Sequence, residues 1–242
     1  MKKCVTLGLN GVNPGSYMGW TGDLVACDAD ATQNAAAFAT LGYTSNALYD
    51  SAVTLSAVRQ ILADAAATTN AGDWFVMTYA GHGGQNEAWA FGGFKETLCL
   101  YDGQYADSEL HNALAQFKAG ANVVLLLDSC HSGGMDRAMP VARLRVAPFH
   151  IVRQTLPSPP AATGGIAANV ALMTACRADE VAQDGDANGA FTGSNLTCLT
   201  NTVATWGDWY TAVQAYMLRY FPRQHPQWID LNGNIRKQPL RG

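Results

Sequence analysis

Asn122-Val123-Val124-Leu125-Leu126-Leu127-Asp128 is the strongest strand signal in the chain, and it runs straight into Ser129-Cys130-His131-Ser132-Gly133-Gly134. Five apolar residues in succession leave neither face of that strand polar. A strand buried on both faces belongs to a parallel sheet whose crossover helices cover it above and below. Working outward, Asp73 to Ala80 gives a second such strand, which ends in Gly81-His82-Gly83-Gly84. Val5 to Leu9 gives a third, stopped by Asn10-Gly11, and Tyr43 to Tyr49 and Ala168 to Thr174 two more. Helical patterns lie between them. Residues 28–41 are Ala-rich and closed by Gly42, a glycine C-cap. Thr54 caps 55–67, where Leu55, Val58, Ile61, Leu62 and Ala65 recur at helical spacing. Shorter helices are predicted over 108–117, 192–202 and 208–220. The fold class is α/β, with a mostly parallel central sheet flanked by helices on both faces.

Composition narrows the function classes. The chain has 242 residues, 48% hydrophobic and 14% charged, which is far too apolar for disorder. Its net charge is −4, from 19 acids and 15 bases, which disfavours a nucleic-acid partner bound through a broad basic face. No apolar run reaches the length of a membrane span, so no membrane partner is expected. Six cysteines with no C-x-x-C pair read as reduced thiols in a cytoplasmic protein. A special cysteine in such a chain is then more often catalytic than bridged.

In parallel α/β sheets, function gathers beyond the carboxyl ends of the strands. Two strand ends here carry reactive side chains. A cysteine nucleophile needs a base for its proton and backbone donors for the developing oxyanion. His82 and Cys130 can supply base and nucleophile if their strands are neighbours, and the backbone N–H groups of Gly83 and Cys130 are the candidate oxyanion donors. A Gly-His-Gly segment can also be no more than a turn, and an isolated cysteine no more than a small core residue. Other cysteine chemistries fit less well. A phosphatase loop wants His-Cys-x5-Arg, but Ser129 precedes Cys130 and Arg137 falls one place late. A zinc site wants clustered ligands at short fixed spacing. The G-x-S-x-G elbow of serine hydrolases is absent.

Tyr79-Ala80-Gly81-His82-Gly83 followed by Asp128-Ser129-Cys130-His131-Ser132-Gly133 resembles the caspase-type cysteine peptidases, in particular metacaspases and their prokaryotic relatives, the orthocaspases. The His-to-Cys distance of about 50 residues is one already known for caspases. Leu24-Val25-Ala26-Cys27-Asp28-Ala29-Asp30-Ala31 sits where metacaspases carry Leu-x-Gly-Cys-x-Asn-Asp-Ala. Ala175-Cys176-Arg177, Gly189-Ala190-Phe191-Thr192 and Arg223-Gln224-His225-Pro226-Gln227 resemble their small-subunit region. The resemblance implies a caspase–haemoglobinase fold and peptide-bond hydrolysis, with Cys130 as nucleophile and His82 as general acid/base. It also implies that Asp30 and Asp128 line the S1 pocket, the subsite for the residue before the cut. Paired carboxylates suit a cationic side chain, so cleavage after Arg or Lys is expected. Asp28 is a neighbouring rival for the place of Asp30.

The same resemblance organises the chain as one domain over 1–242 with no room for a prodomain. A large-subunit-like part over 1–136 and a small-subunit-like part over 166–242 flank a Pro/Arg-rich stretch over 137–165. That stretch reads as a linker or surface loop rather than packed structure. Its arginines, Arg137, Arg143, Arg145 and Arg153, are candidate self-cleavage sites. Many metacaspases need calcium, but Asp107-Ser108-Glu109-Leu110 lacks one acid of the family stretch, leaving Asp102, Asp107 and Asp136 as weak metal candidates. Asp184-x-Asp186-x-Asn188-Gly189 begins like an EF-hand loop but has Asn195 at the twelfth position, and reads better as a polar turn before a helix. The expected enzyme is a monomer that needs no cofactor for its chemistry and acts on peptides or proteins; its calcium dependence stays open. The rival readings are a catalytically silent caspase-like scaffold and, less well supported, a nuclease or nucleotide-binding protein.

Overall fold

The computed structural model describes residues 1–86, 95–129, 144–148, 164–177 and 179–241. A six-stranded sheet forms its centre, built from β1 (Lys2–Gly8), β2 (Thr44–Tyr49), β3 (Trp74–Ala80), β7 (Asn122–Asp128), β8 (Asn169–Thr174) and β9 (Gln227–Asp230) in the order β2-β1-β3-β7-β8-β9. All neighbours are parallel except β8 and β9, which pair antiparallel. Among the described residues five α-helices surround it: α1 (Cys27–Thr40), α2 (Leu55–Thr68), α3 (Asp107–Leu114), α4 (Ala190–Cys198) and α5 (Trp206–Tyr220). This is the mixed α/β architecture expected from the apolar strand runs.

The alternation of side chains along a strand divides the core in two. On β7, Val123, Leu125 and Leu127 join Phe75, Met77 and Tyr79 of β3 beneath α2 and α3, against Val58, Leu62, Leu110 and Leu114. Val124 and Leu126 point the other way with Val76. They meet Phe38 of α1 and Trp206, Trp209, Val213 and Met217 of α5. Trp206 stacks on Trp74 at 5.6 Å, tying α5 to the start of β3. Both faces being filled is why 123–127, between Asn122 and Asp128, holds no polar residue.

Most helix ends follow local chemistry. Thr54 accepts the Ala57 N–H at 3.1 Å, and Gly42 turns the chain after α1 with φ +83°. Helix α5 starts two residues earlier than its sequence pattern indicated, because Thr205 and Asp208 form a reciprocal capping box. Helix α4 starts at Ala190 rather than Thr192 and ends at Cys198, and α3 stops at Leu114 before a tight turn through Phe117.

Two features depart from the sequence reading. A small antiparallel sheet of β4 (Gly83–Asn86), β5 (Lys95–Leu100) and β6 (Gly103–Ala106) follows β3. Its strands are only four to six residues long, so they carry little periodic signal. The second departure lies in the stretch read as a surface linker. Leu144, Arg145 and Ala147 are buried, and Arg145 has no exposed surface. This part of 137–165 is packed structure, held by partners far away in sequence.

Candidate active site

The site rests on strand register. Gly8 of β1 pairs with Ala80 of β3, and Ala80 with Asp128 of β7, so three adjacent strands end level. The order β2-β1-β3 also means that the chain leaves β1 in one direction and returns through β3 in the other. Such a reversal opens a crevice at the carboxyl ends of the two strands. Residues following β1, β3 and β7 are thereby delivered to one place.

His82 follows β3 and is buried. Its Nε2 lies 3.1 Å from the Gly22 carbonyl, which can only accept, so Nε2 carries the proton. Nδ1 is buried with no hydrogen-bond partner among the described residues, which leaves its lone pair free. Burial pushes the ring's pKa down to about 4 against the pull of the Gly22 carbonyl, and the Arg145 charge adds to the depression. The ring stacks tilted on Trp20 at 4.7 Å. Tyr79 fixes the turn below: its hydroxyl is bonded to the carbonyls of His82 at 2.8 Å and Cys99 at 2.9 Å. A Cβ on Gly81 would meet that hydroxyl at 2.6 Å, so the first glycine of Gly-His-Gly makes room for the tyrosine.

Asp30 and Asp128 converge on the side chain of Arg145, whose carbonyl accepts the N–H of Gly83, the residue after His82. Asp128 Oδ2 is 2.9 Å from Nη1, Asp30 Oδ2 bonds Nη2, and Asp184 Oδ1 bonds Nη2 at 2.9 Å and Nε at 3.3 Å. The Asp128 main-chain carbonyl accepts from Nη1 at 3.3 Å. Each carboxylate is held in turn. Gly189 N–H and the Asn188 amide donate to Asp30. Thr192 donates to Asp128 from its backbone at 3.0 Å and its hydroxyl at 2.7 Å, and Val25 N–H donates to Asp184 at 2.8 Å. Burial, only partly countered by Arg145, raises Asp30 to a pKa of about 6, and the nearby Asp128 charge adds to the rise. Burial disfavours the Arg145 cation, but Asp128, Asp30 and Asp184 more than restore it and hold it charged.

The main chain at Arg145 is held as firmly. Gly83 N–H donates to the Arg145 carbonyl at 3.0 Å, Arg145 N–H to the Ala182 carbonyl at 3.0 Å, and Ala147 N–H to the Gly83 carbonyl at 2.8 Å. Residues 144–147 thus lie as an extended segment between Gly83 and Gln183.

Of the residues singled out from sequence, His82, Gly83, Asp30, Asp128 and Arg145 are brought together here. Cys130, Arg137, Arg143, Arg153 and Asp136 lie outside the described residues. Asp28, the rival of Asp30, is half-buried on the first turn of α1 and takes no part in the grip on Arg145. Asp102 accepts the Leu55 N–H at the start of α2, Asp107 accepts the Ser108 N–H, and Glu109 pairs with Arg59 at 2.7 Å. Among the described residues no group of three or more His, Cys, Asp or Glu side chains is placed to hold a metal ion. Asp184, Asn188 and Gly189 were missed as site residues. Their polar, glycine-rich run resembled a turn, and their function appears only once α1 and β7 are beside them. A Cβ on Gly189 would lie 2.6 Å from both Asp128 Oδ2 and Arg145 Cζ.

Comparison with known proteins identifies the family. The family model described as Peptidase C14, caspase domain, matches residues 10–232. Metacaspase-1 of Schizosaccharomyces pombe is 36% identical over 88 residues, which cover 33% of this chain and 20% of that protein. The chain therefore matches about a fifth of that curated relative's length. A crystal structure of protein GSU0716 from Geobacter sulfurreducens superposes with a TM-score of 0.84 at 31% identity, covering 95% of this chain and 92% of that one.

Proposed function

The chain belongs to the caspase-domain family of cysteine peptidases, and on that premise we propose that it is an endopeptidase cutting after Arg or Lys. Cys130 is the nucleophile. His82 takes its proton through Nδ1 and returns it to the leaving amine, and an acyl-enzyme thioester links the two halves of the reaction. Gly83 and Cys130 N–H groups receive the oxyanion, and Asp30 and Asp128 form the S1 specificity site. The chemistry needs no cofactor. The enzyme acts as a monomer on peptides or proteins, in a reducing, cytoplasmic setting, and processes itself within 137–165 after one of Arg137, Arg143, Arg145 or Arg153.

The observation that carries this reading is the grouping of a buried histidine, one ring nitrogen unpartnered among the described residues, with two carboxylates that accept a guanidinium. A buried pair of carboxylates is costly without a cation, so the pocket is selective for one. The test is hydrolysis of a short fluorogenic peptide ending in Arg, run with and without calcium beside Cys130→Ala. Activity lost in Cys130→Ala supports the peptidase. No activity in any condition favours the silent scaffold.

A further inference from the structure

We propose that Arg145 is the enzyme's own first substrate residue: it fills the S1 pocket of the intact chain, the Arg145–Val146 bond is the self-cleavage site, and the cleft stays closed to other substrates until that bond is cut. The inference rests on the peptidase reading above and singles out one of its four linker arginines.

Three independent contacts meet on this residue. Its side chain is enclosed by Asp30, Asp128 and Asp184 and is fully buried. Its N–H is paired with Ala182, on a segment running antiparallel to it. Its carbonyl accepts the N–H of Gly83, the donor assigned to the oxyanion, one residue beyond His82. A purely structural arginine needs only the first contact. The other two are what a peptide bound for cleavage needs: an added strand that fixes register, and a polarised carbonyl at the bond to be cut. The setting sharpens the argument. A stretch rich in Pro and Arg, otherwise marked as loop, sends one arginine into a pocket of three acids.

The reaction is the enzyme's ordinary one turned inward. The Cys130 thiolate adds to the Arg145 carbonyl carbon, and a C–S bond forms as the Arg145–Val146 C–N bond breaks. The thiol proton passes by way of His82 to the Val146 nitrogen, which leaves as an amine. Water then hydrolyses the thioester, which frees the Cys130 thiol and leaves a carboxylate on Arg145. Before the cut, Arg145 competes with any external substrate at the high effective concentration of a tethered ligand. After it, Arg145 ends a free chain and can leave the pocket.

The test follows purified intact chain over time by mass and N-terminal sequencing, together with turnover of the fluorogenic Arg peptide. Wild type is expected to yield a fragment beginning at Val146, with peptidase activity rising in step. Val146→Pro, which leaves the guanidinium in place, is expected to remain uncut there and to turn the peptide over at least about tenfold more slowly than processed wild type. Arg145→Gln is expected to be uncut at 145 and active without a lag. Full turnover by wild type or Val146→Pro while Arg145 is present and its 145–146 bond is intact, or cleavage only at another arginine, overturns the proposal and leaves the peptidase standing. Absence of both turnover and cleavage in every form sinks the peptidase reading, and the proposal with it. Should Arg145→Gln fail to fold, Val146→Pro and wild type decide the matter.

Discussion

Asp30 and Asp128 take hold of one guanidinium from two directions, Asp30 from the first turn of α1 at Nη2 and Asp128 from the last residue of β7 at Nη1. If that grip serves substrates, Asp30→Ala lowers kcat/KM for an Arg peptide in the processed enzyme by about 10- to 100-fold, the worth of one charge-assisted hydrogen bond. Steady-state kinetics with circular dichroism as the fold control checks this. Undiminished turnover removes Asp30 from the specificity site.

Asp184 supplies the third carboxylate, bonding both Nη2 and Nε of the same group. Nε is specific to arginine, since lysine offers a single terminal ammonium. Asp184→Asn therefore weakens Arg substrates more than Lys substrates. The ratio of kcat/KM for paired Arg and Lys peptides reports it; an unchanged ratio assigns Asp184 to structure alone.

Gly189 touches the pocket with no side chain at all. The 2.6 Å approach of an added Cβ to Asp128 Oδ2 and Arg145 Cζ leaves no room for one. Gly189→Ala is expected to fold yet to exclude a guanidinium, with kcat/KM for Arg peptides falling at least about tenfold because both the space and the charge grip are disturbed. A variant that cuts Arg peptides normally would show that the pocket can yield there.

His82 makes stability depend on pH. Its folded pKa of about 4 lies below the usual value of 6.5, so the unfolded chain binds more protons between those limits. Its contribution is complete above pH 6.5 and is lost as pH falls toward 4, about 3 kcal/mol in all. Asp30, raised to about 6, acts oppositely: its contribution is present at low pH and declines as pH rises from about 4 to 6. The two partly cancel, so the measurement is the difference in urea unfolding between Cys130→Ala and Cys130→Ala/His82→Gln across pH 4 to 7. A pH-independent difference refutes the assignment.

Tyr79→Phe removes one hydroxyl that serves two buried carbonyls, those of His82 and Cys99. The expected cost is about 1–3 kcal/mol in chemical denaturation, with no compensation from water in so enclosed a place. A loss below about 0.5 kcal/mol would mean the turn holds itself.

The central sheet was legible because a run such as 122–128 has only one economical environment, and His82 and Cys130 were conspicuous because each follows such a run. Asp30 and Asp128 stood out through a family resemblance, since an acid at a helix start or a strand end is locally ordinary. Arg145 was hidden for a different reason. Its neighbours Pro140, Pro148 and the surrounding arginines carry the local signature of a loop, while the partners that bury it, Asp30 and Asp184, lie 115 and 39 residues away. Gly189 and Asn188 were missed likewise: their work is to hold another element's carboxylate, which leaves no periodic trace. The small sheet of β4, β5 and β6 was lost because strands of four to six residues carry little pattern.

The level ends of β1, β3 and β7 bear on how the molecule breathes. Amides in the middle of a fully buried parallel sheet exchange with solvent only through global opening, whereas a short segment held by a few edge bonds opens on its own. The strands that end in Gly8, Ala80 and Asp128 belong to the first class, and residues 144–147 to the second. The floor of the cleft therefore keeps its shape through every local fluctuation, and the inserted segment can lift away without disturbing the platform on which it lies.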